Sequence, residues 1–191
     1  MKKFFYVIAA LGLIGLILIG FISAGKEVET VSNLNIPRKS SGSIADLLNI
    51  IGGRLHSAKV PSESMEDTIM AGETIVFDRR AYSAKLPERF DVVIFKCPDD
   101  ESIDYVKRII GLPRETIEIR GGQVYIDSIP LEEPFLKEEQ TGEFDSYEIG
   151  ENSYFIMGDN RTVSFDSRAW INKCVPYENI MGKVVFILEK Q

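Results

Sequence analysis

The 191-residue chain is poor in the side chains that most catalytic and metal sites rely on. It has one histidine, His56, and two cysteines, Cys97 and Cys174, which are far apart and form no C-x-x-C pair. That set does not match the Cys/His ligation of a structural zinc site. A Ser-His-Asp triad would have only His56 to draw on, just upstream of Ser64, and a surface histidine is the simpler expectation. There is no H-E-x-x-H, no Walker loop and no G-x-G-x-x-G opening a helix. A basic surface is also missing: the net charge is −7, which argues against nucleic acid as a partner. Long helical periodicity is absent from Val60 onward.

What is present begins at the N-terminus. Lys2 and Lys3 precede an apolar run, 4–22, without a charged residue. At about 1.5 Å per residue, such a run matches a hydrocarbon core of about 30 Å. The flanking lysines predict a cytoplasmic N-terminus and an exported remainder. A cleavable secretory signal is the competing expectation, but its apolar stretch is typically about 7–15 residues. Residues 1–25 are therefore expected to be a single-pass anchor in the lipid bilayer. Residues 26–57 are expected to be a polar linker, with Pro37, Arg38 and Lys39, ending in a short amphipathic helix. In that helix Ile44, Leu47, Leu48 and Ile51 have i, i+3, i+4, i+7 spacing and Ser43 caps the start. If the domain is exported, Cys97 and Cys174 form a disulfide or stay as two buried thiols.

From residue 58 onward short runs rich in Val, Ile, Phe and Tyr predict strands near 74–77, 92–95, 105–110, 116–119, 124–126, 154–157 and 184–188. Gly121-Gly122 predicts a tight hairpin. Many short strands without long helices predict a mainly β domain of antiparallel sheets over 58–191, with a small inserted β region at 120–150.

Three stretches carry polar groups suited to chemistry. Pro61-Ser62-Glu63-Ser64-Met65-Glu66-Asp67-Thr68-Ile69 precedes a strand. Its serines, taken alone, are loop serines, and a serine hydroxyl needs a base to become a nucleophile. Tyr105-Val106-Lys107-Arg108-Ile109-Ile110-Gly111 places Lys107 on one strand face with Tyr105 and Ile109. Such an amine is either a stem reaching water or a desolvated base with a lowered pKa. Arg108 faces the other way and stays protonated. The third stretch, 158–168, follows a strand. It reads as a loop of turn formers, or as a wall in which Ser164 holds the lysine and Asp166 pairs with Arg168.

Taken together and in this order, the segments resemble the type I signal peptidase (leader peptidase) family, serine proteases that use a Ser–Lys dyad. The resemblance also takes in Arg89-Phe90-Asp91-Val92-Val93-Ile94-Phe95, and Lys107-Arg108…Gly111-Leu112-Pro113. It further includes Gly158-Asp159-Asn160-Arg161…Ser164-Phe165-Asp166-Ser167-Arg168. It implies an antiparallel β-sheet catalytic domain of signal-peptidase type preceded by one N-terminal transmembrane helix. It implies Ser64 as nucleophile, Lys107 as general base, and Ser164 as the residue that orients the lysine. The Ser62 hydroxyl and the Ser64 N–H would form an oxyanion hole, Met65 would lie at the substrate-binding edge, and Asp159, Asp166 and Arg168 would support the site. The implied substrates are precursors bearing signal peptides, cut after small-x-small sequences such as Ala-x-Ala, without metal or cofactor. Glu63 and Asp67 depart from the family pattern, and with Glu66 they crowd negative charge near Ser64. Their negative charge would favour the ammonium form of Lys107 if they lie close to it. A catalytically inactive or narrowly dedicated paralogue in surface-protein assembly is the alternative reading. A self-cleaving regulator is a further one, set aside because a membrane anchor occupies the place of its DNA-binding region.

Overall fold

Short, β-branched and aromatic runs separated by Gly, Pro and Asp build sheets here. The computed structural model describes residues 36–39, 54–136 and 142–188. In chain order the strands are β1 (Arg38–Lys39), β2 (Leu55–Lys59), β3 (Thr74–Asp78), β4 (Val92–Lys96), β5 (Asp104–Gly111), β6 (Thr116–Arg120), β7 (Gln123–Ile126), β8 (Ile129–Pro130), β9 (Phe144–Glu148), β10 (Ser153–Met157), β11 (Val175–Pro176) and β12 (Ile180–Leu188). The larger sheet runs β11-β10-β5-β4-β12-β3-β2, and β1 pairs with the end of β12. The smaller sheet runs β8-β7-β6-β9. All these pairings are antiparallel except β1 with β12.

Two strands fall outside the sequence expectation in an informative way. Arg38 and Lys39, expected in a linker, pair with Ile187 and Leu188. Arg38 also forms an ion pair with the buried Glu73, so this segment is part of the sheet. His56, expected in or just after a helix, lies in β2 and stacks on Phe77 with ring centroids 5.7 Å apart. The expected helix at 43–52 and the expected anchor at 4–22 lie outside the described residues. Among the described residues no helix is long and apolar enough to cross a membrane.

The continuous apolar run of β4 is explained by burial on both faces. Val92 and Ile94 enter one cluster with Val60, Met65, Ile75 and Ile187. Val93 and Phe95 enter another with Ile109, Tyr154, Ile156 and Trp170. Each such fully buried side chain contributes about 1.5–3 kcal/mol of transfer free energy. A third cluster, with Ile110, Ile117, Val124, Ile149 and Phe155, joins the smaller sheet to the larger one. Gly121 and Gly122, at φ 56° and 84°, make the two-residue turn between β6 and β7. Both positions are left-handed, as a hairpin turn matched to strand twist requires.

Cys97 is buried and Cys174 half-buried, and both are free thiols, so the pair forms no disulfide. Burial pushes the Cys174 thiol up to about 12.

Candidate active site

Lys107 stands in the middle of β5, opposite Val93 of β4. The two-residue period puts it on the face of Tyr105 and Ile109, both part of the aromatic cluster around Trp170. Its stem is enclosed, leaving 2% of the residue exposed, and its amine lies 5.3 Å from the centre of the Tyr105 ring. The amine hydrogen-bonds to Ser64 Oγ. Ser64 is itself only 7% exposed. Ser62, more exposed, places its hydroxyl 3.2 Å from Ser64 Oγ.

Burial lowers the Lys107 pKa to about 8. Asp166 and Asp159 push the other way, and Arg168 adds a smaller downward push. At neutral pH about a tenth of such an amine is unprotonated, against well under 1% for a free lysine. Glu63, Glu66 and Asp67 are not among the charged groups that shift Lys107, which are Asp166, Asp159 and Arg168. Glu63 and Asp67 are exposed, and Glu66 turns to accept the Ala71 N–H at 3.2 Å.

The loop after β10 closes over the serine. Asp166, fully buried, accepts the Gly158 N–H at 3.0 Å and pairs with Arg168, whose Nε lies 2.8 Å from Oδ1. Arg168 also donates to the Arg161 carbonyl at 2.8 Å. The Asn160 N–H donates to the Ser64 carbonyl at 3.2 Å, which ties the loop to the backbone of the serine. Ser164 packs against the Cα of Gly158 beside that carbonyl. Its Oγ is buried and has no hydrogen-bond partner among the described residues, so it does not hold the lysine amine here.

Arg108, the neighbour of the lysine, makes an arrangement that the alternation of the strand did not reveal. It is fully buried on the opposite face. Its guanidinium forks onto Asp159 at 2.9 and 2.6 Å and donates to the Phe90 carbonyl at 2.9 Å. Thr68 donates to the same carboxylate at 2.5 Å. Asp159 thus joins the Ser64 segment, the Lys107 strand and the closing loop. The signal in the sequence was an Arg and an Asp each next to a candidate site residue, with nothing to say that the two meet. Met65 differs from expectation: it is 0% exposed, packed with Val60, Ile69 and Ile75, and presents no surface at an edge. Among the described residues no three His, Cys, Asp or Glu side chains converge as metal ligands.

A mainly antiparallel β domain that buries a serine hydroxyl against an amine with lowered pKa has the groups needed for nucleophilic attack without histidine. A model of the family described as "Signal peptidase, peptidase S26" matches residues 44–189. "Signal peptidase I" of Leptolyngbya laminosa is 32% identical over 133 residues, 66% of this chain and 64% of that protein. "Signal peptidase I V" of Bacillus subtilis is 36% identical over 124 residues, 58% of this chain and 73% of that protein. "Thylakoidal processing peptidase 1, chloroplastic" of Arabidopsis thaliana is 32% identical over 137 residues, covering 66% and 40% of the two chains. The crystal structure of a signal peptidase I from Enterococcus faecalis is 32% identical, with a TM-score of 0.46, over 52% of this chain and 97% of that one. The chain therefore belongs to the signal peptidase family, peptidase S26, a family of serine endopeptidases. It spans less than two thirds, 64%, of the Leptolyngbya protein's length.

Proposed function

We propose that this chain is a type I signal peptidase that removes N-terminal signal peptides from exported precursors after small-x-small sites such as Ala-x-Ala. The observation that carries the proposal is the hydrogen bond between Ser64 Oγ and the amine of Lys107, whose pKa is lowered to about 8 by burial. Neutral Lys107 takes the Ser64 hydroxyl proton as Oγ attacks the scissile carbonyl carbon. The resulting oxyanion is held by the Ser64 N–H and the Ser62 hydroxyl, which already lies 3.2 Å from Ser64 Oγ. Lys107, now an ammonium, protonates the leaving amine as the C–N bond breaks. A water molecule, deprotonated by the same amine, then attacks the acyl carbon, and the Lys107 ammonium returns that proton to Ser64 Oγ as the ester C–O bond breaks. Met65, packed in the core beside Val60 and Ile69, backs the serine from the core side.

The apolar run 4–22 holds the domain at the bilayer in which the apolar segment of a signal peptide also resides, raising the effective concentration of substrate. With Lys2 and Lys3 cytoplasmic, the catalytic domain lies on the far side of the cell membrane. The test is cleavage of a precursor carrying an Ala-x-Ala signal peptide, in detergent, by the wild type, Ser64→Ala and Lys107→Ala. Cleavage after the second alanine by the wild type, lost in both variants, is expected. A wild type inert on several such precursors refutes general signal peptidase activity.

A further inference from the structure

Residues 131–136, which follow β8, are anchored on the smaller sheet and reach into the larger one. Leu131 donates its N–H to the Val124 carbonyl at 2.9 Å, and its own carbonyl accepts from Gln123 Nε2 at 2.9 Å. Leu131 and Phe135 pack against the cluster that joins the two sheets. From this base two side chains extend toward the residues around Ser64 and Lys107.

The first is Glu133. Its carboxylate receives both ends of the Arg161 guanidinium, at 3.1 and 2.5 Å, and the two side chains are only 6% and 3% exposed. Arg161 Nε donates in turn to the Gly158 carbonyl at 3.0 Å. Gly158 is the residue whose Cα packs on Ser164 and on the Ser64 carbonyl. One chain of contacts therefore runs from Glu133 through Arg161 and Gly158 to the backbone of the serine.

The second is Phe135. Its ring lies under the Arg108 guanidinium at 4.2 Å and is 5.9 Å from that of Arg161. Phe90, whose carbonyl Arg108 also contacts, meets the same ring edge-on with centroids 5.3 Å apart. Arg108 is the residue next to Lys107. The ring thus fixes the guanidinium whose partner, Asp159, links the base strand to the serine segment.

Two buried cations from different strands and loops converge on two neighbouring residues of one short segment. A structural ion pair alone would need only one of them. We propose that Glu133 and Phe135 are positioning residues. Through Arg161 and Arg108 they hold the Ser64 segment and the Lys107 strand in register, so the smaller sheet supports the reaction without touching substrate. This inference rests on the peptidase reading above.

The test compares the full-length wild type with Glu133→Gln, Phe135→Leu and Phe135→Tyr on one Ala-x-Ala precursor, with kcat, KM and thermal melting measured for each. Glu133→Gln keeps the shape but removes the charge that holds the fork, and kcat is expected to fall about 10–100-fold, the scale set by sub-ångström misplacement of reacting groups. KM should stay within about twofold, since no substrate contact is lost. Phe135→Leu leaves no unpaired carboxylate, so it remains informative if Glu133→Gln folds poorly. It should lower kcat with KM unchanged, whereas Phe135→Tyr, which keeps the ring, should restore kcat. Variants that keep wild-type kcat, or that raise KM alone, overturn the positioning role while the peptidase reading stands. So does a kcat loss that only follows the unfolded fraction. An inert wild type overturns the peptidase reading, and the positioning role with it.

Discussion

Gly158 has nothing at its Cα because two parts of the site press against that face. A Cβ there would lie 2.3 Å from Ser164 Oγ, 2.6 Å from Ser164 Cβ and 2.4 Å from the Ser64 carbonyl oxygen, where ordinary contact begins near 3.4 Å. The Ser164 hydroxyl can rotate away. The Ser64 carbonyl cannot, because it is the backbone of the nucleophile and already accepts the Asn160 N–H. Gly158→Ala therefore displaces the loop or the serine by about 1 Å, the shortfall from ordinary contact. The backbone of Gly158 is not left-handed, so the clash alone sets the cost. Overpacking of this kind costs about 1–3 kcal/mol of stability. A misplacement of about 1 Å at reacting groups can cost about 10² in rate. The expected result is a folded variant with a modestly lower melting temperature and kcat reduced about a hundredfold in precursor cleavage. Gly150→Ala is the control, because its Cβ would meet only Ser153 atoms at 3.7 and 3.9 Å. A Gly158→Ala enzyme with kcat within about twofold of wild type would refute the claim that this close approach sets the geometry of the serine.

Four further outcomes are expected. The kcat/KM of precursor cleavage should rise with pH through about 8, as Lys107 loses its proton, and a profile flat from pH 6 to 9 would contradict that role. In the folded state the Lys107 pKa is depressed below its unfolded value of about 10.4. The protein therefore carries a penalty on the order of 3 kcal/mol below pH 8, which is relieved as pH rises from 8 toward 10.4. Lys107→Met should accordingly melt above the wild type at pH 7, by a margin that narrows toward pH 10. Asp159→Asn leaves Arg108, itself 0% exposed, without its counter-charge and should lose about 3–5 kcal/mol in denaturant unfolding; an unchanged midpoint would show that the pair is dispensable. Ser62→Ala, at an exposed position, should keep the melting temperature and lose about 10²–10³ in kcat, and an unaffected rate would remove Ser62 from the oxyanion site.

Strand content was legible because it rests on local pattern. β4 is apolar from Val92 to Phe95 since both of its faces are covered there. Gly121-Gly122 announced its turn because glycine takes left-handed positions at no steric cost. The strands without a signal in the sequence are the weakly patterned ones. β9 is exposed at four of its five positions, and β1 has two residues whose place depends on β12 more than a hundred positions away. Both derive their structure from a partner strand, and a local window contains no partner.

The candidate site divides along the same line. The order of Ser64, Lys107 and the polar loop at 158–168 belongs to the sequence, and so does the two-residue alternation that sets Lys107 with Tyr105 and Ile109, opposite Arg108. Local pattern thus sets which residues are available for chemistry and which face of the strand each occupies. Packing in three dimensions buries Lys107 enough for its pKa to fall, and makes Asp166 and Asp159, rather than Glu63, Glu66 or Asp67, the carboxylates acting on it. It alone brought Arg108 to Asp159, and Glu133 and Phe135 to the two buried arginines. Desolvation and charge pairing depend on distance through space, which is set by how strands 40 or more residues apart come to lie side by side, and no spacing along the chain encodes that distance.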